Sequence, residues 1–125
     1  MRRRISGLWL PVVAYMAAIF VLSSLPTIPP PLGLRGIDKP EHYIAYAGLA
    51  AIVMRAVRGT RPAWRLGVVA VVALVISAAY GATDELHQFF VPTRCCDILD
   101  WTADVLGAIT GAGLMSAASY LRRGR

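Results

Sequence analysis

Asp84, Glu85, His87 and Gln88 fall within five consecutive residues, Arg94 follows, and Asp97, Asp100 and Asp104 recur at helical spacing just beyond it. A second patch, Asp38-Lys39-Pro40-Glu41-His42, holds the two remaining acids and the other histidine. Carboxylates beside imidazoles can pass a proton back and forth with a substrate, the requirement of general acid–base catalysis. We therefore take Asp84, Glu85, His87 and His42 as candidate catalytic groups. Asp38, Tyr46, Gln88, Arg94, Asp100 and Asp104 are candidate binding groups. Mixed oxygen and nitrogen donors also suit a divalent ion such as zinc or manganese, although no His-Glu-x-x-His or comparable spacing is present. Arg94 has the planar fork that meets a lipid phosphate or another acidic group.

Each of these residues also has a structural reading. Asp38 and Glu41 have the spacing of a capping box, with Pro40 tolerated in the first turn of the helix they open. His42 and Tyr46 follow Asp38 at four and eight residues, near one helix face. Asp97 and Asp100 suit a helix N-terminus, where a side-chain oxygen caps free N–H groups and the dipole favours negative charge. Asp104 lies about a turn deeper and needs a partner, for which Arg94 is the natural counter-ion. Asp84 and Glu85 come at the end of an apolar run, where carboxylates oppose the helix dipole. They form either a polar collar at the headgroups or part of a site, and His87 and Gln88 can share a helix face with Asp84. Gly107 and Gly111 form a G-x-x-x-G, which lets helices approach closely, within this chain more readily than between chains. Cys95 and Cys96 make neither a disulfide framework nor a familiar zinc spacing, and we assign them no role.

The elements that must position these groups are apolar. The 125 residues are 57% hydrophobic and 16% charged, with a mean hydropathy of +0.57. A soluble domain of this size has too little interior to hide so much apolar side chain, whereas a bilayer accommodates it. The expected fold is all-α, one domain over residues 1–125, a four-helix transmembrane bundle with spans at about 8–25, 42–57, 65–82 and 100–121. The first span follows Arg2–Arg4 and lacks a small-x-small cleavage site, so an uncleaved helix is expected rather than a signal peptide. Pro11 is placed in its first turn, and Pro26, Pro29, Pro30 and Pro31 make Thr27 to Ile37 an extended loop. A barrel of strands would need alternation and more segments than fit.

The net charge of +6 does not point to nucleic acid, because the basic residues cluster at the ends of apolar runs without aromatic interleaving. Ten of the thirteen Lys and Arg residues fall at the N-terminus, between the second and third spans, and at the C-terminus. By the positive-inside rule both termini are cytoplasmic and both acidic patches face outward, in a multi-pass protein of the inner membrane.

Several blocks together resemble the VanZ-like family of small bacterial membrane proteins. They are Ser23-Ser24-Leu25-Pro26, Asp38-Lys39-x-x-His42-x-x-x-Tyr46, Asp84-Glu85-Leu86-His87-Gln88-Phe89-Phe90-Val91-Pro92-x-Arg94, and Asp100-x-x-x-Asp104-x-x-Gly107-x-x-x-Gly111. The position of Asp104 is often Asn in that family, and Cys95-Cys96 is outside its pattern. The resemblance implies four transmembrane helices and an association with low-level teicoplanin resistance, without an established biochemical activity. Three readings follow: a protein that acts on or senses an envelope lipid or glycopeptide-related component through an outward polar site, a divalent-metal-dependent membrane enzyme, and a non-catalytic scaffold. No phosphate-binding glycine loop, serine elbow or redox motif is present. Substrate and oligomeric state are not legible.

Overall fold

The computed structural model describes residues 2–26 and 38–124, apart from the side chains at positions 2–4, 38 and 123. The expected extended loop from Thr27 to Ile37 lies outside the described residues. Four helices are present and no strand among the described residues: α1 (Arg2–Ser23), α2 (Asp38–Thr60), α3 (Leu66–Gln88) and α4 (Ile98–Arg123). Two segments, Ile5–Ser23 and Leu66–Gln88, are long and apolar enough to cross a membrane.

Two boundaries differ from the expectation in ways that matter. Helix α1 starts at Arg2, so Pro11 sits in its interior rather than its first turn. The carbonyl of Gly7 thereby loses its helical donor. Helix α3 continues six residues past Ala82 and carries Asp84, Glu85, His87 and Gln88 on its last turns. The carboxylates oppose the dipole there; Glu85 accepts from the Asp97 N–H of the next element, and Asp84 from the Gln88 amide one turn on in α3 itself.

Helices α2 and α4 run parallel and make the most extensive contact, while α1 packs on α2 and α3 but not on α4. Close approach of two helices needs small residues at the seam. A Cβ added to Gly107 would collide with the backbone carbonyl of Tyr43, and one added to Gly111 with that of Ala47. The G-x-x-x-G thus seats α4 directly on the backbone of α2. Tyr43 and Thr110 share a hydrogen bond of 2.6 Å one turn along the same seam. Across the bundle, Trp101 Nε1 donates to the Ala78 carbonyl at 2.9 Å and Tyr80 donates to the Met16 carbonyl at 2.6 Å.

Burial along α3 changes character with depth. Its inner face begins with Leu66, Val69 and Ala73 and ends with Ser77, Gly81, Asp84, Glu85 and Gln88, all buried. One helix stripe therefore passes from an apolar core to a polar one. The outer surfaces remain apolar, with Leu10, Val13, Leu22, Val71, Val75, Ile109, Leu114 and Leu121 all largely exposed. Apolar exposure on this scale marks a surface that meets lipid or another protein.

Candidate functional site

The polar site occupies the end of the bundle where α1 and α3 finish and α2 and α4 begin. Asp100 and Asp104, one turn apart, face inward from α4, and Asp84 and Glu85 face inward from α3; all four are at most 4% exposed. His42 completes the centre from α2. Its Nδ1 lies 2.8 Å from Asp104 Oδ1 and 3.9 Å from Glu85 Oε1. Gly81 makes this possible, since a Cβ there would come within 2.8 Å of Asp104 Oδ2.

Lys39, one turn before His42, donates to Asp97 Oδ2 at 3.2 Å and to Asp100 Oδ1 at 2.8 Å. The partner that the sequence assigned to Asp104, Arg94, is replaced by His42, and Lys39 serves Asp97 and Asp100 instead. Asp97 caps α4 by accepting from the Leu99 N–H at 2.8 Å. That N–H, followed by the Lys39 ammonium, holds the Asp97 carboxyl below its usual range, so it stays charged further into acid than a free aspartate. The Asp97 N–H in turn donates to Glu85 Oε2 at 3.0 Å. This bond from the next helix's cap is one of the donors that let α3 end on acids.

Arg94 is not the counter-ion that the sequence suggested for Asp104. Among the described residues it bonds no carboxylate: Nε donates to the Leu25 carbonyl at 3.0 Å and Nη2 to the Leu22 carbonyl at 3.2 Å. At the end of α1, where intrahelical donors run out, Arg94 adds a second donor to Leu22, which also accepts from the Leu25 N–H, and one to Leu25 just beyond the helix. The turn before it brings it there. Thr93 adopts φ 68°, the left-handed region that a β-branched residue rarely enters, and the Arg94 N–H closes the turn on the Val91 carbonyl.

His87 also has a different neighbourhood from His42. Its ring stacks on Phe20 with centroids 4.4 Å apart, and Nε2 lies 2.9 Å from Ser24 Oγ. The four sequence-predicted catalytic groups therefore do not form one cluster: Glu85 meets His42, and His87 belongs to the junction with α1. Gln88 links the two regions, donating to Asp84 Oδ2 at 3.2 Å and to Ser23 Oγ at 3.4 Å. Tyr46 is buried beside Asp84 and Asp104. Asp38 begins α2 at the same end, and its side chain lies outside the described residues. Sequence reasoning missed Lys39, Ser23 and Ser24 as members of the site. The signal was available, since all three stand inside the blocks that carry the family resemblance.

The arrangement is polar beyond its own needs. Asp84 Oδ1, Glu85 Oε1, Asp104 Oδ2, the Tyr46 hydroxyl and the Ser77 hydroxyl are buried without a hydrogen-bond partner. His42, Glu85 and Asp100 each offer a ligand atom within 4.8 Å of the others. This set could hold a divalent ion, in keeping with the donor types read from the sequence.

Residues 15–119 match the VanZ/LLP1 family. The chain belongs to that family. No curated protein and no solved structure matches it. The match extends from the middle of α1 almost to the end of α4, so every polar residue described above lies within the VanZ/LLP1 region.

Proposed function

We propose that this VanZ/LLP1 member spans the inner membrane with all four helices as one transmembrane domain, with both termini cytoplasmic and the His42–Asp104 site facing outward. There it acts on, or senses, an envelope lipid or a lipid-linked, glycopeptide-related component. The supporting observation is the His42–Asp104 pair at 2.8 Å with Glu85 Oε1 at 3.9 Å, set among orphaned buried oxygens. With the Nδ1 proton directed at Asp104, the neutral imidazole presents Nε2 as a base toward a hydroxyl or head group. Asp104 and Glu85 then stabilise the imidazolium that forms, as the carboxylate does for a catalytic histidine elsewhere. Lys39 holds Asp100 in place, and Arg94 ties the loop to α1.

The orientation rests on ten of thirteen basic residues lying at the opposite ends of these helices. A bundle built only as a scaffold would lose function in step with stability. Cells lacking the protein, complemented with wild type or His42→Ala, separate the two. We expect the variant to reach wild-type abundance and yet leave the altered lipid and cell-wall profile of the deletion uncorrected. Full correction by His42→Ala would refute the acid–base reading.

A further inference from the structure

At the end of the bundle away from the carboxylates, the gap left between α1 and α4 opens into a cavity of about 520 Å³. Its lining has two chemistries. Leu8, Met54 and Met115 form an apolar wall, and Arg55, Arg58 and Arg122 stand around it. Every acid of the chain lies in sequence toward the other ends of these helices. The ion pairs among the described residues are accordingly all at that other end, and these three arginines have none.

Arginines near the C-termini of α2 and α4 complement the helix dipoles, which accounts for their presence but not for a cavity beneath them. The cavity separates two helices that make no contact with each other. Neighbouring turns of the same two helices carry exposed apolar side chains, Leu10 and Leu114 both at 68%. One wall is adaptable: a Cβ on Gly59 would approach Leu8 Cδ1 at 2.6 Å, so that leucine rests directly on the α2 backbone. Methionines on two facing helices add surfaces that repack around a flexible chain.

We infer that this cleft is a binding site for an anionic phospholipid of the surrounding bilayer, its phosphate held by Arg55, Arg58 and Arg122 and an acyl chain lying along Leu8, Met54 and Met115. Guanidinium groups match phosphate oxygens in charge and geometry, and basic clefts between helices at a membrane surface are suited to anionic head groups. A zwitterionic lipid would bring an ammonium into a cluster of three cations and is disfavoured. The site lies at the opposite end from His42 and Asp104, so it rests on the transmembrane placement proposed above but not on the acid–base chemistry proposed for those residues.

The test is native mass spectrometry and thermal melting of detergent-purified protein with phosphatidylglycerol, phosphatidylcholine or inorganic phosphate. Wild type should retain about one phosphatidylglycerol per chain and melt higher in its presence, with little response to the other two. Each arginine removed among Arg55→Gln, Arg58→Gln and Arg122→Gln should weaken retention about fivefold. Arg61→Gln, outside the cleft in the loop between α2 and α3, should leave it intact. Met115→Trp, which fills the apolar wall without touching charge, should also displace the lipid, and it keeps the test open if the arginine variants fold poorly. Equal retention of phosphatidylcholine, an equal response to inorganic phosphate, equal loss in Arg61→Gln, or undiminished retention in Met115→Trp would each overturn the inference.

Discussion

Replacing Gly107 with alanine is expected to be the most damaging small substitution in the protein. The new Cβ would overlap the Tyr43 carbonyl oxygen and come within 2.9 Å of its carbon and 3.1 Å of its Cα. These are backbone atoms of α2, with no rotamer to change, so the two helices must separate. Overpacking of this kind costs about 1–3 kcal/mol, against roughly 1 kcal/mol gained from the better helix propensity of alanine. The overlap here is with rigid main chain, which places the net effect on the destabilising side. Separation would also pull Asp104, one turn earlier on α4, away from His42, so activity should fall along with stability. Gly111→Ala meets the Ala47 carbonyl in the same way. Gly113, on the same helix, has nothing within 4 Å of the point where a Cβ would stand, and Gly113→Ala should be neutral or slightly stabilising. Melting temperatures of the three variants in detergent provide the comparison. Equal behaviour of Gly107→Ala and Gly113→Ala would mean that α4 does not sit on the backbone of α2.

Asp104 gives the second large effect, this time on activity. Asp104→Ala removes the acceptor at His42 Nδ1, freeing the ring to turn and to change tautomer. Loss of a general base from its working position costs about 100- to 10,000-fold. Asp104→Asn behaves differently. Its amide oxygen can accept the same 2.8 Å bond, and it replaces a fully buried carboxylate with a neutral group of the same shape. We expect Asp104→Asn to hold the ring but to lose the carboxylate's share of imidazolium stabilisation, so that its activity falls between wild type and Asp104→Ala, while its stability equals or exceeds wild type because a buried charge is removed without leaving a cavity. Complementation by the two variants, scored beside their melting temperatures, checks this. Equal activity of the Ala and Asn variants would show that the hydrogen bond does not position His42.

The legible parts of this molecule were those set by local chemistry. Apolar runs bounded by arginines and prolines marked four helices, and the small-residue spacing of Gly107 and Gly111 marked a close approach. Asp97 as a helix cap and Asp100 and Asp104 on one face followed from helical geometry alone. What escaped was whatever depended on another segment's backbone. Asp84 and Glu85 looked like a place for α3 to stop, because the Asp97 N–H and His42 that receive Glu85 come from other elements. Arg94 was matched to a carboxylate because charges are visible in a sequence, whereas the carbonyls of Leu22 and Leu25 that it meets are not. Lys39 was given no role of its own in the patch that opens α2, and only the parallel packing of α2 and α4 sets it against Asp97 and Asp100. His42 and His87 looked equivalent in the sequence, but they stand on different faces of the site.

The central claim is that the carboxylate end of the bundle faces the outside of the cell, and the chain carries its own reporters for it. Cys95 and Cys96 are both free and exposed in the loop between α3 and α4, next to Asp97. Intact cells are treated with a mild reductant and then with a membrane-impermeant maleimide. The account predicts that both thiols are modified before the membrane is breached. Modification that appears only after permeabilisation would place the site on the cytoplasmic side and contradict it.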